Sequence, residues 1–411
     1  MRKDYRRSEP ETVLILNGGG SLGAYECGVY KTLVRHGLKF DIIAGTSIGA
    51  VNAAILASAG AGSEQKDDHV NSAKILESFW LNMADDVTPS FLPYKMRSSI
   101  AATHTLLYGN PKAFVPLWNM PAGIPFYNSY NSPYLYTTIQ LRNTLNKYVD
   151  FTKLKRKVRF TDTGDNANRD IDKDNENIQD NKKGNIASRL ILVCTDIQRG
   201  EPVIFDSNQM DITAEHVVAC TGYPFYGISW TKIDDRYLWD GSLLSNTPLR
   251  DVIDASSKRE KRVYISEIFP RKQEKLPNNM SETWHRARDI MFVDKSTHRV
   301  VEHSETLKRY IVTMEEMYDI IRSSRLDEKE KARFKELEPE YKNLLHLRGA
   351  VIDEIISIKR KERSGGHYLL EDADFSVASI KELIRQGEED AEDAIANKNQ
   401  ETLKKSHQSQ R

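Results

Sequence analysis

Cysteine, net charge and long apolar runs are all scarce in this chain. Its 411 residues include only Cys27, Cys194 and Cys220, an odd set without CxxC spacing that excludes a disulfide framework and predicts buried, reduced thiols. Lys plus Arg and Asp plus Glu both total 59, so no overall field attracts nucleic acid. No stretch approaches the ~20 apolar residues of a membrane-spanning helix, and residues 13–16 are too few for a signal sequence. We therefore expect a cytoplasmic protein, with any membrane association local and apolar.

Short apolar segments alternate with helical ones near the N-terminus. Residues 12–16 form a β-branched apolar run closed by three glycines, and residues 24–36 carry apolar side chains at helical spacing. The same order repeats with an apolar run at 40–44 and a helix of small residues at 50–59. Because this order favours parallel strands covered by helices, we predict an α/β fold, a three-layer α/β/α sandwich around a mostly parallel sheet.

Composition suggests how the rest of the chain is organised. We assign residues 1–280 to the α/β core and residues 281–400 to a charged, mainly helical extension. A polar tail at 401–411 is expected to fray. Within the extension, residues 352–358 fit a strand and a helix equally well.

Aromatic side chains are scattered over residues 76–136 without clear periodicity. One interpretation is a loop-rich subdomain with its own small core. The alternative is a cap or lid that partly walls an apolar acyl site, with Phe114 and Trp118 as candidate wall residues.

Residues 161–188 contain almost no apolar side chain. Such a segment cannot bury enough surface to offset the entropy of ordering, so we predict a flexible polar insertion. Aspartates alternate from Asp170 to Asp174 with the rhythm of a calcium loop. However, Asn175 stands where an EF-hand needs glycine, and Asn181 stands where it needs a bidentate glutamate. We therefore expect no metal site.

The pattern G-x-S-x-G occurs at Gly45, Ser47 and Gly49, between the second predicted strand and its helix. On such an elbow the serine adopts a strained conformation that exposes its hydroxyl, and the glycines let strand and helix approach. The helix N-terminus adds a partial positive charge that favours a developing anion. The alternative is an ordinary helix N-cap serine. The position between strand and helix favours a nucleophile.

Consecutive glycines follow the first strand at Gly18, Gly19 and Gly20, with Gly23 close behind. The spacing G-x-G-x-x-G also fits a dinucleotide loop, which needs an acidic residue at the end of the second strand to bind ribose. Asp41 stands instead at the start of that strand, so we expect no nucleotide cofactor. The remaining interpretation is an oxyanion hole of unhindered glycine amides, in which each donor lowers the barrier by ~2.7–4 kcal/mol.

Asp240 ends a later apolar segment and is followed by Gly241. Alone it fits a turn aspartate equally well. At the carboxyl edge of an α/β sheet it would lie where such folds keep their sites. A Ser–His–Asp triad needs a histidine after the acid. The candidates, none beside a predicted strand end, are His285, His298, His303, His346 and His367. We therefore prefer a dyad in which Asp240 accepts the Ser47 proton.

Together these three segments resemble the patatin-like phospholipase family, in particular a bacterial or archaeal branch. The family has a G-G-G-x-[KR]-G loop, a G-x-S-x-G elbow and a D-G-[GA] segment, and the resemblance covers residues 12–269. Leu22 replaces the basic loop residue and Ser242 replaces the last small residue. The resemblance assigns the following residues: Gly18, Gly19, Gly20 and Gly23 to the oxyanion loop, Ser47 as nucleophile, and Asp240 with Gly241 to the dyad motif.

The resemblance implies a serine acyl hydrolase that cleaves a lipid or other acyl ester without a metal or organic cofactor. One alternative is an acyltransferase, because the same acyl-serine can pass its acyl group to an acceptor other than water. Another is a non-catalytic lipid-binding or scaffold protein that kept the fold. As partners we expect the lipid substrate, a peripheral membrane contact and no nucleic acid, and a homo-oligomer is also compatible with the sequence.

Overall fold

The computed structural model describes residues 9–60, 66–89, 91–119, 132–155, 188–254, 259–293, 295, 297–345, 351–361 and 370–408. The strands are β1 (Glu11–Leu16), β2 (Ile42–Thr46), β3 (Val115–Pro116), β4 (Tyr136–Thr137), β5 (Arg189–Asp196), β6 (Glu201–Asp206), β7 (Thr231–Ile233), β8 (Arg236–Asp240), β9 (Lys261–Glu267) and β10 (Ile352–Lys359). The helices are α1 (Gly23–Arg35), α2 (Ile48–Ser58), α3 (Lys66–Met83), α4 (Tyr94–Tyr108), α5 (Ile139–Tyr148), α6 (Ala214–Ala219), α7 (Leu249–Asp254), α8 (Met280–Phe292), α9 (Thr297–Ser323), α10 (Glu328–Leu345) and α11 (Val377–Gln408). Apart from Ser188, the predicted insertion at 161–188 lies outside the described residues, including the aspartates of the calcium alternative.

One large mixed sheet organises the fold. Its strand order is β10-β9-β1-β2-β5-β8-β7, and β6 pairs with β5 off this path. The five strands from β10 to β5 are parallel, whereas β6 and β8 run antiparallel to β5. The predicted α/β/α fold with a mostly parallel sheet is confirmed.

Strand β5 brings two strand ends together. β6 covers one edge of β5, and the other edge is shared by β2 and β8, which approach each other end to end. β2 ends with Thr46 opposite Val193, and β8 ends with Asp240 opposite Cys194. Val193 and Cys194 are consecutive in β5, so the ends of β2 and β8 meet there. Ser47, the residue after Thr46, therefore follows β2 next to Asp240.

Helices cover both faces of the sheet. Side chains of a strand alternate between faces, and in β1 Leu14 and Leu16 join one buried cluster while Val13 and Ile15 join another. The first cluster includes side chains of α1, α2, α3 and α11, and the second includes side chains of α7 and α9. All three cysteines belong to the first cluster, where they are buried as free thiols.

The C-terminal residues complete the same sheet. Residues 352–358, for which the sequence allowed either element, form β10, which pairs in parallel with β9 and covers an edge that would otherwise be open. The sheet therefore extends across the predicted boundary at residue 280. Helix α11 packs so closely on α1 that a Cβ at Gly28 would meet the Ile384 carbonyl carbon at 2.8 Å. This helix continues to Gln408, so the predicted tail is helical to that residue.

Several described side chains of the aromatic region from residue 76 to 136 pack against the main core. The adjacent side chains of Phe79 and Trp80, on α3, both belong to the main cluster, and Phe114 packs against that cluster. Phe114 also meets Tyr136 edge-on, with ring centroids 5.6 Å apart. The described aromatic side chains of this region pack against different neighbours, which explains why they show no periodicity in the sequence. The backbone is nevertheless regular in α4 and at the end of α3.

Candidate active site

Ser47 lies between β2 and α2 in a backbone conformation that is rare for any residue other than glycine. Its φ is 54° and its ψ is −129°, and holding a residue there costs on the order of 1–3 kcal/mol. The Ser47 carbonyl accepts the Ala50 amide at 2.9 Å and so starts α2. Its side chain makes no capping hydrogen bond. The Ser47 side chain therefore does not cap the helix, and its hydroxyl is not used in a capping hydrogen bond.

Asp240 is fully buried at the end of β8. Its Oδ1 accepts the Ser242 amide at 2.9 Å, and its backbone carbonyl accepts the Thr195 hydroxyl at 2.9 Å. Burial raises the pKa of this carboxyl to about 6, although the Ser47 hydroxyl and Ser242 act in the opposite direction. Gly241 allows this close packing, because a Cβ there would lie 2.8 Å from the Val193 carbonyl carbon.

The Ser47 hydroxyl and the Asp240 carboxyl interact loosely. The hydroxyl is close enough to lower the carboxyl pKa, but Asp240 Oδ2 makes no hydrogen bond of good geometry with any described residue. Catalytic hydrogen bonds are often long before substrate binds and shorten afterwards. The unsatisfied oxygen lies beside the serine and can accept a proton from it.

The glycine loop packs directly against Ser47. A Cβ at Gly18 would lie 2.7 Å from Ser47 Cβ and 2.7 Å from Asn246 Oδ1, so no larger residue fits there. Gly20 has a φ of 56°, which favours glycine. Among the described residues, no group accepts a hydrogen bond from the amides of Gly18, Gly19 or Gly20. These amides are thus available to an oxyanion.

Behind the loop, the buried side chain of Glu26 joins the two halves of the site. It accepts the Asn17 amide at 2.6 Å, immediately before the glycines, and Asn52 Nδ2 at 2.9 Å, on the helix after Ser47. Asn52 Oδ1 in turn accepts the Trp80 indole at 3.1 Å. Burial raises the pKa of Glu26 well above its usual range. This network holds the glycine loop against α2.

All three motifs line one cavity of about 110 Å³. Ser47, Asp240 and the three loop glycines are among its polar lining residues. Phe114 is in the wall, whereas Trp118 is not among the lining residues and instead contacts Tyr136 edge-on. The apolar remainder of the wall includes Ile48, Met83, Leu106, Ala113, Leu141, Ile228, Phe269, Phe292, Ala373 and Phe375.

The sequence of the segment that carries this site matches a known family. A sequence model of patatin-like phospholipases matches residues 14–253, more than half of the chain, and the match includes the glycine loop, Ser47 and Asp240. The chain belongs to the patatin-like phospholipase family. This confirms the resemblance inferred from the motifs, and membership supports lipid acyl hydrolase activity.

Individual relatives of this patatin-like chain match over short stretches. Triacylglycerol lipase SDP1L of Arabidopsis thaliana is 51% identical over 51 residues, which cover 12% of this chain and 6% of the relative. Lysophospholipase nte1 of Aspergillus terreus is 52% identical over 44 residues, covering 11% and 3%. The crystal structure of VipD from Legionella pneumophila aligns over 95% of this chain and 67% of that chain, with a TM-score of 0.37 and 14% identity.

Residues far along this patatin-like chain also form the site. Ser21 donates its hydroxyl to the Glu371 carbonyl at 2.9 Å. Asp372 lines the cavity and accepts hydrogen bonds from the Tyr226 hydroxyl at 2.6 Å and from Arg288 at 2.7 Å. Sequence patterns missed Glu371 and Asp372 because both come from the predicted extension, and no local spacing links them to the glycine loop.

Among the described residues, neither a histidine nor a metal cluster accompanies Ser47 and Asp240, and the triad candidates His346 and His367 lie outside the described residues. Among the described residues that line the cavity there is no histidine. His285, one of the triad candidates, is buried beside Asp289 and Arg288. In the described ranges, no group of three or more His, Cys, Asp or Glu is arranged to hold a metal, and no helix is long and apolar enough to cross a membrane.

Proposed function

We propose that this chain hydrolyses lipid acyl esters through an acyl-serine intermediate, with Ser47 as nucleophile and Asp240 as general base. The observation that carries the proposal is the fully buried Asp240 carboxyl beside the Ser47 hydroxyl in the wall of a largely apolar cavity. A buried carboxyl is costly to keep. Its place beside a strained serine supports a catalytic role.

The reaction follows from these two groups. Ionised Asp240 takes the proton of Ser47 Oγ as that oxygen bonds to the ester carbonyl carbon. The tetrahedral intermediate collapses, the carbon–alcohol oxygen bond breaks, and the alcohol leaves with the proton from Asp240. Water then attacks the acyl carbon and gives a proton to Asp240. Breaking the bond to Ser47 Oγ releases the acid, and Oγ regains its proton.

The raised pKa of Asp240 suits this role. A carboxyl with a pKa of about 6 is mostly ionised at neutral pH, yet it is a stronger base than an ordinary aspartate. The free amides of Gly18, Gly19 and Gly20 can then donate to the oxygen that becomes negative in the intermediate, and donors of this kind supply a large share of rate enhancement. The partial positive charge at the start of α2 acts in the same direction.

The apolar wall supports a fatty acyl chain as the part of the substrate that enters the cavity. Each CH₂ removed from water stabilises the complex by ~0.8 kcal/mol. Contact with a membrane surface stays a prediction. It is supported by Phe225, Leu244 and Met291, which are 74%, 48% and 52% exposed close to the wall residues Tyr223 and Phe292.

Turnover of a p-nitrophenyl acyl ester tests the proposal. Ser47→Ala should abolish turnover, and Asp240→Asn should lower it by about 10²-fold or more, in line with contributions of general bases. Asp235→Asn, at an exposed position in the turn between β7 and β8, is the matched control and should retain the wild-type rate. Full activity of Asp240→Asn, together with loss of activity in His285→Ala, would contradict the dyad and favour a triad that includes His285.

A further inference from the structure

Helix α8 points charged side chains toward the interior of the protein. Its inward face carries His285, Arg288 and Asp289, whereas Trp284 and Met291 face outward and are 63% and 52% exposed. The side chain of Arg288 is only 12% exposed. A charge in such a position is costly unless it is paired and hydrogen-bonded. The role of Arg288 therefore depends on what its guanidinium contacts.

The guanidinium of Arg288 bonds two consecutive residues from the C-terminal part of the chain. Nη1 donates to Asp372 Oδ1 at 2.7 Å, and Nη2 donates to Glu371 Oε1 at 3.0 Å. Its Cζ also lies 5.3 Å from the centre of the Phe269 ring, and that ring lies 3.5 Å from the position of a Cβ at Gly19. Hydrogen bonds from the planar fork of an arginine to carboxylates are strong and directional. Arg288 thus holds residues 371 and 372 in place.

Glu371 and Asp372 in turn contact the glycine loop through their backbone carbonyls. The Glu371 carbonyl accepts the Ser21 hydroxyl at 2.9 Å. The Asp372 carbonyl carbon would lie 3.2 Å from a Cβ at Gly20, so this peptide packs directly on that glycine. A chain of contacts therefore runs from Arg288 to the loop.

The glycine loop has no ionic anchor of its own. None of the residues from Asn17 to Gly23 is charged, and Leu22 stands where the family has a basic residue. Leu22 is 1% exposed and packs beside Gly19. Hydrogen-bond donors stabilise a developing negative charge only when they are held in position before the charge appears. The loop therefore needs support from elsewhere in the chain.

We propose that Arg288 is a positioning residue that anchors the oxyanion loop through Glu371 and Asp372. The inference rests on the proposed ester hydrolysis at Ser47. Arg288 is not among the residues that line the catalytic cavity, so it acts on the loop and not on the substrate. Because the loop amides bind the carbonyl oxygen most strongly once it becomes negative, loss of the anchor should lower kcat and leave KM unchanged.

Turnover of a p-nitrophenyl acyl ester by Arg288→Met tests this role. Methionine is also long and unbranched but carries no charge. Its kcat should fall by about 10²-fold, the cost of a small misplacement of catalytic groups, with KM unchanged. Arg288→Lys keeps the charge but lacks the planar fork, so its kcat should be intermediate. A wild-type kcat in Arg288→Met, or a higher KM at constant kcat, would overturn the proposal.

Arg360→Met is the matched control. The side chain of Arg360 is 9% exposed and bonds the Glu371 carboxylate twice, at 3.1 Å each, but among the described residues it does not bond Asp372. Each of the two methionine variants leaves a buried carboxylate short of a partner, so both should unfold at a lower temperature than wild type. Only Arg288→Met should lose kcat. Equal losses of kcat in both would reduce Arg288 to a contributor to stability and contradict the positioning role.

A double-mutant cycle shows whether Arg288 acts through Asp372. Asp372→Asn keeps the shape and the backbone carbonyl but removes the charge that Arg288 bonds. Its kcat should fall, and the double variant of Arg288→Met with Asp372→Asn should be no slower than Arg288→Met alone, because both changes break the same link. Losses that multiply would contradict the proposed route to the loop.

Hydrogen exchange keeps this inference separate from hydrolysis, because it requires no turnover. Amides of the peptide 17–24 should exchange faster in Arg288→Met than in wild type or in Arg360→Met. Faster exchange in that variant, combined with no ester turnover by wild type, would refute hydrolysis and retain the link from Arg288 to the loop. Identical exchange in all three proteins, with normal turnover by wild type, would refute the positioning role alone.

Discussion

Replacing Asp240 by asparagine should stabilise the fold at neutral pH even though it removes the proposed base. Asp240 has no exposed surface, and burial raises its pKa from an ordinary value of 3.8 to about 6. When a carboxyl has a higher pKa in the folded than in the unfolded state, its ionisation lowers the free energy of unfolding. One pKa unit corresponds to 1.36 kcal/mol, so a shift of about two units is worth about 3 kcal/mol.

The sign of the effect fixes its pH dependence. Below pH ~4 the carboxyl is protonated in both states and the penalty is absent. As the pH rises from ~4 to ~6, the unfolded chain ionises first, and the wild-type protein loses up to about 3 kcal/mol of stability. Asparagine does not titrate. The stability of Asp240→Asn relative to wild type should therefore increase by up to this amount between pH 4 and pH 7.

Urea unfolding of both proteins across this pH range measures the difference directly. Asp235→Asn makes the same chemical change at an exposed position of the same hairpin, so it should show no comparable trend. A stability difference between Asp240→Asn and wild type that is independent of pH would show that Asp240 is not held in a costly environment. The reasoning that makes it a base would then fail.

Two further predictions concern activity. Because Asp240 must be ionised to accept a proton, kcat/KM for a soluble ester should fall about tenfold per pH unit below pH ~6 and level off above it; a profile flat from pH 5 to pH 8 would contradict this. Phe114 lines the catalytic cavity and Trp118 does not, so Phe114→Ala should shift the preferred acyl chain length while Trp118→Ala should leave it in place. Rates over an ester series of increasing chain length distinguish them, and equal losses at all lengths in Phe114→Ala would assign that residue to core packing.

Local patterns predicted the parts of the site that depend on local geometry. Each of the first two strands is followed by a short loop and a helix, and the loops carry the three glycines and the serine. This order places Gly18 and Ser47 at the same edge of a parallel sheet. Asp240 was identifiable because it ends an apolar strand before glycine. The G-x-S-x-G elbow and its positive φ follow from the close approach of strand and helix.

Long-range contacts account for what the sequence did not reveal. The end-to-end meeting of β2 and β8 on one edge of β5 depends on which strands pair, and pairing between distant segments leaves no periodicity. Asp372 lies between β10, which pairs with the sheet, and α11, which packs on α1. It lines the cavity because these two elements fold back onto the N-terminal part of the chain. The apolar positions of residues 352–358 match both helical and strand spacing, so the sequence fits either element. These residues form a strand because they pair with the edge of β9.

Reaction with a fluorophosphonate probe followed by peptide mass spectrometry tests the central claim most directly. If Ser47 is the activated nucleophile, the probe should label the wild-type chain once, on Ser47. Labelling should be absent in Ser47→Ala and much slower in Asp240→Asn, because the probe reports the nucleophile and its base without requiring the natural substrate. Labelling of a different residue, or undiminished labelling of Ser47→Ala, would contradict the account.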